Sequence, residues 1–371
     1  MPADSLTLSQ PRPGKLSLLG LPAANLVEFF ENIDEKPYRA RQIMRWLYQR
    51  YVTDYGEMTD LSSPLRKQLA EMTSLALPPV LKREHSDDGT RKWLLDVGAN
   101  QAIETVYIPE PDRGTLCISS QAGCALDCAF CATGYQGFNR NLTSAEILGQ
   151  VVLASRELAP AKITNVVFMG MGEPLANYRN VLPVVHLLLD DQAFGLSRRR
   201  VTISTAGVVP HILKLATDCN VALAVSLHAP TDELRDRLVP INRVHPIAEL
   251  LEACWKYAEG QASRSITFEY VLLDGVNDSV AHARQLVKLL RHKPAKVNLI
   301  TFNAFPESEF RCSPQPAIDA FWQTLRNGGL IATVRRPRGD DIAAACGQLA
   351  GRVRDRQRVR LGDRVIGASS S

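Results

Sequence analysis

The sequence predicts an α/β protein whose main domain is a parallel sheet curved into a partial barrel. Two observations lead to this prediction. From about residue 111 the chain alternates between short apolar segments typical of strands and longer amphipathic segments typical of helices, a pattern that parallel sheets with outer helices produce. There are six such units, too few for the closed eight-stranded form. We therefore expect a partial (β/α)6 barrel over residues 111–334.

The predicted strands indicate where a site would lie. They are Thr115–Ser119, Asn165–Met169, Val201–Thr205, Val221–Ser226, Thr267–Leu272 and Lys296–Ile300. The clearest helix between them is Ala145–Leu158, which opens with a capping box formed by Thr143 and Glu146. Active sites in such folds lie at the carboxyl ends of the strands. Polar residues that directly follow these strands are therefore the first candidates.

Four further segments flank the predicted barrel. We expect a flexible lead-in over residues 1–20, a small helical domain over 21–78, a connecting β-hairpin over 79–110, and a C-terminal segment over 335–371. The hairpin is predicted to turn at Asp87–Gly89. In the helical domain, helical spacing predicts a buried face containing Ala40, Ile43, Met44, Leu47 and Tyr51. The opposite face would be basic, with Trp46 beside Arg41, Arg45 and Gln49.

Composition excludes several classes of protein. The 371 residues are 45% hydrophobic and 22% charged, close to globular averages, which argues against disordered, collagen-like and disulfide-scaffold proteins. No run approaches the roughly 20 apolar residues of a membrane helix. The stretch Leu16–Ala24 makes a poor signal peptide. We therefore expect a soluble, cytoplasmic protein.

The eight cysteines are not a disulfide framework in that case, because the cytosol keeps thiols reduced. Cys219 and Cys254 stand alone in apolar helical patterns, and Cys312 stands in a polar loop. We expect these three to be packing or incidental residues. The other five require a different explanation.

Positive charge is concentrated towards the C-terminus. From Arg335 onward there are nine arginines against four acidic residues, in a chain whose net charge is +4. A solvated tail would explain this excess, and so would an arm that contacts nucleic-acid phosphates. The candidates for phosphate contacts are this tail (Arg352, Arg354, Arg356, Arg358, Arg360), the run Arg198–Arg200, and the Arg41/Arg45 helix face. Such contacts would position a nucleic acid without specifying a base.

A cysteine motif follows the first barrel strand. Cys124, Cys128 and Cys131 have the spacing C-x3-C-x2-C, with Phe130 before the last cysteine. A zinc site needs four ligands, and no fourth cysteine or histidine is nearby in the sequence. Three thiolates suit a [4Fe–4S] cluster with one iron left open to a small molecule. We expect that cluster, with structural zinc as the alternative.

Polar residues also end the later strands. The second strand runs into Gly170-Met-Gly172-Glu173-Pro174, where glycines allow a close ligand and a carboxylate accepts bonds from an ammonium group. Further candidates lie at the ends of the later strands, and each of them by itself would be an ordinary loop residue. Together they make one candidate site: Ser204, Ser226, Leu227, His228 and Asn303.

These motifs resemble the radical S-adenosylmethionine (SAM) superfamily, whose signature is this cysteine spacing with an aromatic residue before the last cysteine. The resemblance implies a radical SAM barrel with Cys124, Cys128 and Cys131 as cluster ligands. It also implies that Gly172 and Glu173 bind the amino group of SAM, and that Ser204, Ser226–His228 and Asn303 contact the rest of that molecule.

A closer resemblance is to the RlmN/Cfr family of radical SAM RNA methyltransferases. It extends from about residue 15 to 360. It rests on the Cys117–Cys131 block, the Gly-Met-Gly-Glu-Pro turn, Ser226–Pro230 and the segment Arg338–Gly351. The chain departs from the family pattern at Ala304, where proline often follows the asparagine, and Glu307–Gln315 is poorly matched and receives no role.

The family resemblance implies a role for two further cysteines and one glutamate. Cys346 would be methylated by one SAM and would carry the methyl carbon to C2 of an adenine. Glu104 would accept the C2 proton, and Cys117 would resolve the protein–RNA thioether through a transient disulfide with Cys346. Without the resemblance, Glu104 is an ordinary strand-face carboxylate and Cys346 an ordinary buried thiol.

The implied substrates are an adenosine in 23S rRNA and the adenosine 3′ of the tRNA anticodon, with an electron donor such as flavodoxin as a further partner. Three alternatives stay open. They are a C8-methylating relative, which Arg338-Gly339 before the aspartate pair disfavours by resemblance, a radical SAM enzyme with a non-RNA substrate, and a zinc-stabilised RNA-binding protein without catalysis.

Overall fold

The computed structural model describes residues 15–259, 265–335 and 338–356. Their strands are β1 (Leu16–Ser17), β2 (Thr73–Ser74), β3 (Val80–His85), β4 (Arg91–Gly98), β5 (Gln101–Glu110), β6 (Arg113–Cys117), β7 (Gln121–Gly123), β8 (Phe138–Asn141), β9 (Asn165–Phe168), β10 (Val201–Thr205), β11 (Ala222–Ser226), β12 (Ile266–Leu272), β13 (Ala295–Thr301) and β14 (Ile331–Arg335).

The α-helices of the same residues are α1 (Ala23–Glu31), α2 (Tyr38–Met44), α3 (Ser63–Met72), α4 (Ala132–Tyr135), α5 (Ser144–Leu158), α6 (Tyr178–Leu189), α7 (Val209–Asp218), α8 (Asp232–Leu238), α9 (Ile247–Ala258), α10 (Val280–Leu290) and α11 (Gln315–Asn327). None of these described helices is long and apolar enough to span a membrane.

The N-terminal helices form where the sequence predicts a helical domain. Helix α2 continues as a π-helical turn over Arg45–Gln49, and α3 begins at the cap Ser62, whose hydroxyl accepts from Leu65 N. The predicted apolar face is buried at Ala40, Ile43, Met44 and Leu47. It packs in one continuous core with the barrel.

Two expectations for this region are wrong. The part of the predicted lead-in that is described is not loose, because Leu18 and Leu19 are buried in the core and β1 pairs with β2. Residues 1–14 lie outside the described part. Trp46 does not join the basic face, since it is buried and donates from Nε1 to Asp60 at 2.6 Å. An indole with a satisfied N–H gains more from the core than from solvent.

The main sheet contains ten of the described strands in the order β14-β13-β12-β11-β10-β9-β6-β5-β4-β3. Strands β6 and β9 to β14 are parallel, with helices between them, which confirms the α/β partial barrel. All six predicted strands are present within two residues of their predicted ends, and the Thr143/Glu146 capping box opens α5.

The sheet extends beyond the prediction on both sides. Strand β3 pairs with β4, β4 with β5, and β5 with β6, each pair antiparallel. Residues 80–110 are therefore a meander that continues the barrel sheet and not a separate hairpin. The turn at residues 87–89 is confirmed. The sequence also misses a seventh parallel strand, β14, whose Ile331 and Val334 are exposed at the sheet edge and give no buried-strand pattern.

The capping box of α5 generates a prediction about stability. Thr143 Oγ1 accepts from Glu146 N, and the Glu146 carboxylate accepts from Thr143 N at 2.9 Å. We expect Thr143→Ala to lower the free energy of unfolding by about 1 kcal/mol, because it leaves a helix N–H without its acceptor. Chemical denaturation of the variant and the parent chain measures the difference.

Ser197→Ala is the matched control. Ser197 precedes the short 3-10 turn Arg198–Arg200 without capping it by a side-chain hydrogen bond, and it is exposed. Equal stabilities for Thr143→Ala and the parent would show that the box contributes nothing.

Candidate active site

A cavity lies at the carboxyl ends of the parallel strands, where the sequence predicts the site. It brings together residues from the loops after β6, β9, β10 and β11, and from the C-terminal segment. The predicted residues on its wall are Cys124, Cys128, Phe130, Cys131, Gly172, Glu173, Ser204, Ser226, His228 and Cys346. Residues more than 200 positions apart in sequence therefore share one chamber.

The cysteine loop forms one wall of the cavity. Strands β7 and β8 pair as a short ribbon, and Cys131 is the N-cap residue of α4. Ala129 N donates to Leu238 O at 3.0 Å, which ties the loop to α8. Burial raises the pKa of the Cys124 and Cys128 thiols, and the other thiols of the motif raise it further.

This donor set fits an iron–sulfur cluster. Three soft thiol ligands line one wall of a chamber that apolar residues such as Leu126 and Phe130 shield from solvent. Metal binding would deprotonate thiols whose negative charge is otherwise unfavourable in this buried position. The three cysteines would then hold the cluster, which would offer one iron without a protein ligand to a small molecule.

The glycine turn presses against the cysteine loop. Gly172 has φ +97°, and a Cβ at that position would collide with Gln121. The Gln121 amide oxygen accepts from Glu173 N at 2.8 Å. The turn can approach this closely only because it lacks a side chain at Gly172.

Glu173 is a buried carboxylate at the cavity wall. Its oxygens accept from Leu175 N at 3.1 Å and from Ala206 N at 2.8 Å. Burial raises the pKa of Glu173 to about 7, although these hydrogen bonds oppose the shift. A cationic ammonium beside it would favour the charged form, as expected for a group that binds the amino end of SAM.

The residues after β11 differ in what they can contact. His228 has φ +58°, and its Nδ1 accepts from Val271 N at 2.9 Å. Its ring lies 4.4 Å from the Phe130 ring, and burial lowers the pKa of His228 to about 3, so the ring is neutral. Leu227 does not line the cavity. It is fully buried, and its carbonyl instead accepts from Arg235.

Arg235 is a residue that the sequence reasoning missed. It is fully buried on α8 and donates to the carbonyl oxygens of Leu227, Ser226 and Ala206 and to the side chain of Asn242. Burial lowers the pKa of Arg235 to about 10, so it stays charged at neutral pH. It fixes the ends of β10 and β11 relative to each other. An arginine in a short acidic helix gives no sequence signal of burial.

The Cys346 segment, residues 338–351, lies across the mouth of the cavity. Ala344, Ala345 and Leu349 are buried, and Gly347 O and Leu349 O accept from Ala132 N and Thr133 Oγ1 at 2.8 and 2.7 Å. These bonds anchor the segment to helix α4, directly after Cys131.

Asn303 occupies a different position from the predicted SAM contact. Its Nδ2 donates to Cys346 O at 3.3 Å, and it lines a small neighbouring cavity rather than the main one. It therefore supports the Cys346 backbone. Ala304, the departure from the family pattern, accepts from the Gln348 side chain with its carbonyl oxygen.

The surroundings of Cys117 include Cys346. Burial, and then Cys346, raise the pKa of Cys117 to about 12. Both cysteines are free. Two further residues of the main cavity, Arg335 and Glu269, were missed by the sequence reasoning, and Cys346 and Glu269 raise the pKa of Arg335.

Glu104 does not line the main cavity. It is buried on β5, forms an ion pair with Lys92 at 3.1 Å, and accepts from Ala350 N at 2.8 Å. It contacts the Cys346 segment through that backbone bond and faces a separate open cavity beside residues 340–343.

The predicted phosphate contacts are partly described. Arg41, Arg45 and Arg198–Arg200 are exposed, and Arg352, Arg354 and Arg356 are exposed at alternate positions of an extended stretch. Between them Val353 packs on the core and Asp355 accepts from Phe138 N. Arg358 and Arg360 lie outside the described residues.

A chamber with three cysteines at the mouth of a partial α/β barrel is typical of a radical SAM enzyme, and residues 118–287 match the Radical SAM superfamily. Residues 16–75 match the family described as "Ribosomal RNA large subunit methyltransferase N-terminal domain".

A curated relative is the "Dual-specificity RNA methyltransferase RlmN" of Alkalilimnicola ehrlichii, 55% identical over 345 residues, which are 92% of this chain and 96% of the relative. A radical SAM methyltransferase of known structure from Sphaerobacter thermophilus superposes with a TM-score of 0.86 at 46% identity, over 90% of this chain and 98% of the other.

The chain belongs to the RlmN family of radical SAM RNA methyltransferases. The predicted family, fold class and enzyme class are confirmed. So are the predicted cofactors, since this family uses a [4Fe–4S] cluster and SAM. The alternative of a zinc-stabilised RNA-binding protein without catalysis is therefore wrong.

The raised pKa of Glu173 predicts a pH dependence of SAM binding. Only the ionised carboxylate attracts the ammonium group, and its fraction falls as the pH drops below about 7. We expect the affinity of the reconstituted protein for SAM to weaken over that range in calorimetric titrations. Glu173→Gln should bind weakly with a flat pH profile, whereas an unchanged profile in this variant would exclude Glu173 as the cause.

The contacts of Arg235 predict a loss of SAM affinity without loss of charge. Arg235→Lys keeps the positive charge but cannot donate to all the carbonyl groups that the guanidinium joins, so we expect SAM to bind about tenfold more weakly. Arg237→Lys, at an exposed position of the same helix, is the control. Equal affinities for both variants would contradict the positioning role.

Proposed function

We propose that this enzyme methylates C2 of an adenosine in 23S rRNA and of the adenosine 3′ of the tRNA anticodon, with Cys346 as carrier of the methyl carbon. One observation carries the proposal: Cys346 lines the same chamber as the three cysteines of the cluster motif. C2 of adenine is electron-poor and does not attack the SAM methyl group directly, so an intermediate nucleophile is needed.

Cys346 acts first as that nucleophile. Its thiolate attacks the methyl carbon of one SAM, so that a new S–C bond forms while the sulfonium–carbon bond breaks. Asn303 supports the backbone of Cys346 during this step through its bond to the carbonyl oxygen. Arg335 supplies positive charge on the cavity wall beside the sulfur.

Cys124, Cys128 and Cys131 would hold the cluster, which would supply the electron for reductive cleavage of a second SAM and so the means to remove a hydrogen atom from the methyl group on Cys346. Gly172, Glu173, Ser204, Ser226 and His228 are proposed to hold this SAM. Leu227 contributes its backbone carbonyl, which accepts a hydrogen bond from Arg235 and so helps to fix the loop that carries Ser226 and His228. Phe130 and His228 exclude water beside it, because their rings pack against each other over the cysteine loop.

Release of the product uses the remaining two groups. The methylene carbon on Cys346 bonds to C2, the surplus electron of this adduct would return through the cluster to its flavodoxin-type carrier, and the C2 proton passes to Glu104. The thiolate of Cys117 then attacks the Cys346 sulfur and breaks the S–C bond. The carbon keeps the electron pair of that bond and takes up a proton to become the methyl group of the base, and a disulfide joins the two cysteines. Reducing conditions must restore both thiols, which supports a cytoplasmic location.

The substrate must present an adenine edge that is accessible to the chamber. RNA loops permit this because their bases unstack at low cost. The exposed arginines at Arg198–Arg200 and at Arg352, Arg354 and Arg356 support binding through phosphates. A flavodoxin-type electron donor is part of the proposal, since the cluster must be reduced before each turnover.

The two reactive cysteines are tested by substitution. We expect Cys346→Ala to abolish RNA methylation while SAM cleavage continues, because only the methyl carrier is lost. We expect Cys117→Ala to leave RNA covalently attached to Cys346, because the thioether cannot be resolved. Denaturing gels and mass spectrometry of the Cys346 peptide measure both outcomes.

Cys312→Ala is the matched control, since Cys312 is exposed and outside the cavity. An unmodified Cys346 thiol in Cys117→Ala protein purified from cells would contradict the methyl-carrier role. Nucleoside analysis of the methylated RNA decides the position: 2-methyladenosine supports the proposal, and 8-methyladenosine would assign the C8 chemistry instead.

A further inference from the structure

Lys92 is a buried lysine to which no role has been given. It lies on β4 with 6% of its side chain exposed, directly opposite Glu84 on β3 and diagonal to Glu104 on β5. Its Nζ is 3.3 Å from Glu84 Oε2 and 3.1 Å from Glu104 Oε1. A lysine is rarely buried to this extent unless its charge is paired. Three charged groups thus share one face of the sheet.

The same ammonium group reaches the Cys346 segment. Lys92 Nζ donates to Ala343 O at 3.3 Å, and Glu104 Oε2 accepts from Ala350 N at 2.8 Å. These bonds lie on either side of Cys346 in the sequence. Ala343 has φ +47°, a left-handed conformation that is costly for a residue with a side chain and persists only where the surroundings hold it. The segment is therefore held at its beginning and its end by one ion pair.

We propose that Lys92 is a positioning residue for Glu104, and that the two together form a latch that holds the Cys346 segment over the cavity. The inference rests on the proposed function, in which Glu104 accepts the C2 proton. A carboxylate makes a stronger hydrogen bond to Ala350 N than a neutral acid does. Arrival of the proton weakens that bond and frees the end of the segment for the attack of Cys117 on Cys346.

Glu84 explains how a buried lysine tolerates this change. Before proton transfer Lys92 faces two carboxylates, and afterwards it still faces Glu84. Proton uptake by Glu104 therefore leaves no buried positive charge without a partner, a situation that would otherwise be strongly unfavourable. The arrangement of Lys92 between Glu84 and Glu104 therefore suits a glutamate that gains and loses a proton in each catalytic cycle.

A structural ion pair at the sheet edge is the competing explanation, and the chain offers a matched comparison. Lys82 on β3 also pairs with Glu84, at 2.8 Å, but its side chain is 62% exposed. Among the described residues, Lys82 forms no hydrogen bond or ion pair with Glu104 or with the Cys346 segment. Lys82→Met removes a lysine–glutamate pair without touching the latch.

The test uses the full-length, cluster-reconstituted enzyme with Lys92→Met, Lys92→Arg and Lys82→Met, each with Cys117 intact. We expect Lys92→Met to release methylated RNA about tenfold more slowly, because proton transfer to Glu104 precedes release and Glu104 without the ammonium group is no longer held in position to accept the proton. The covalent RNA–Cys346 species should accumulate on denaturing gels, while methylation of Cys346 itself stays at the parental level. Lys92→Arg should restore release, and Lys82→Met should match the parent.

Parental release by a folded Lys92→Met, or equal slowing by Lys82→Met, would overturn the latch. If Lys92→Met does not fold, Glu84→Gln on the outer strand decides. It leaves Lys92 without a partner once Glu104 is protonated, so the adduct should accumulate, and parental release would overturn the latch. Glu104→Gln separates the two proposals: if this variant accumulates no adduct, the proton-acceptor role fails, whatever Lys92→Met does.

Discussion

The docking of residues 343–352 on the barrel mouth is the interaction on which the rest of the site depends. Gly347 O and Leu349 O bond to α4, Cys346 O bonds to Asn303, and Arg352 pairs with Ala102 at the beginning of β5. These bonds hold Cys346 in the wall of the chamber that the three motif cysteines line, while Ala350 of the same segment bonds to Glu104. Without them the chamber would contain the cysteine motif and Glu173 but not Cys346, the methyl acceptor that we propose.

Buried charge is handled at each corner of the site by specific partners. Arg235 is surrounded by carbonyl oxygens of the loops it joins, Glu173 is bonded by backbone N–H groups, and Lys92 is shared between two carboxylates. Each group would be costly to bury alone. Each therefore fixes the position of the backbone that satisfies it. These buried charges therefore stabilise the positions of the loops that line the cavity.

The eight cysteines divide according to their surroundings. Cys219 and Cys254 are buried in the core, as the sequence predicts, and Cys312 is exposed in a loop. The other five lie at or beside one cavity. Burial raises the pKa of Cys117, Cys124 and Cys128 and also that of the core residue Cys254, so the first three differ from Cys254 in their position at the cavity and not in the direction of this shift.

Sequence alone determined the features that depend on local spacing. The barrel strands, the α5 capping box, the Cys124–Cys131 motif and the glycine turn at Gly172 are readable because each is a short pattern with one physical meaning. Tertiary structure decided the features that depend on distant contacts. The burial of Arg235 and Lys92, the place of Asn303 behind Cys346, the edge strand β14 and the inclusion of β3–β5 in the main sheet all follow from residues far apart in the chain. A charged side chain or an exposed edge strand looks alike in sequence wherever it lies, since only its neighbours in space determine whether its polar groups are paired.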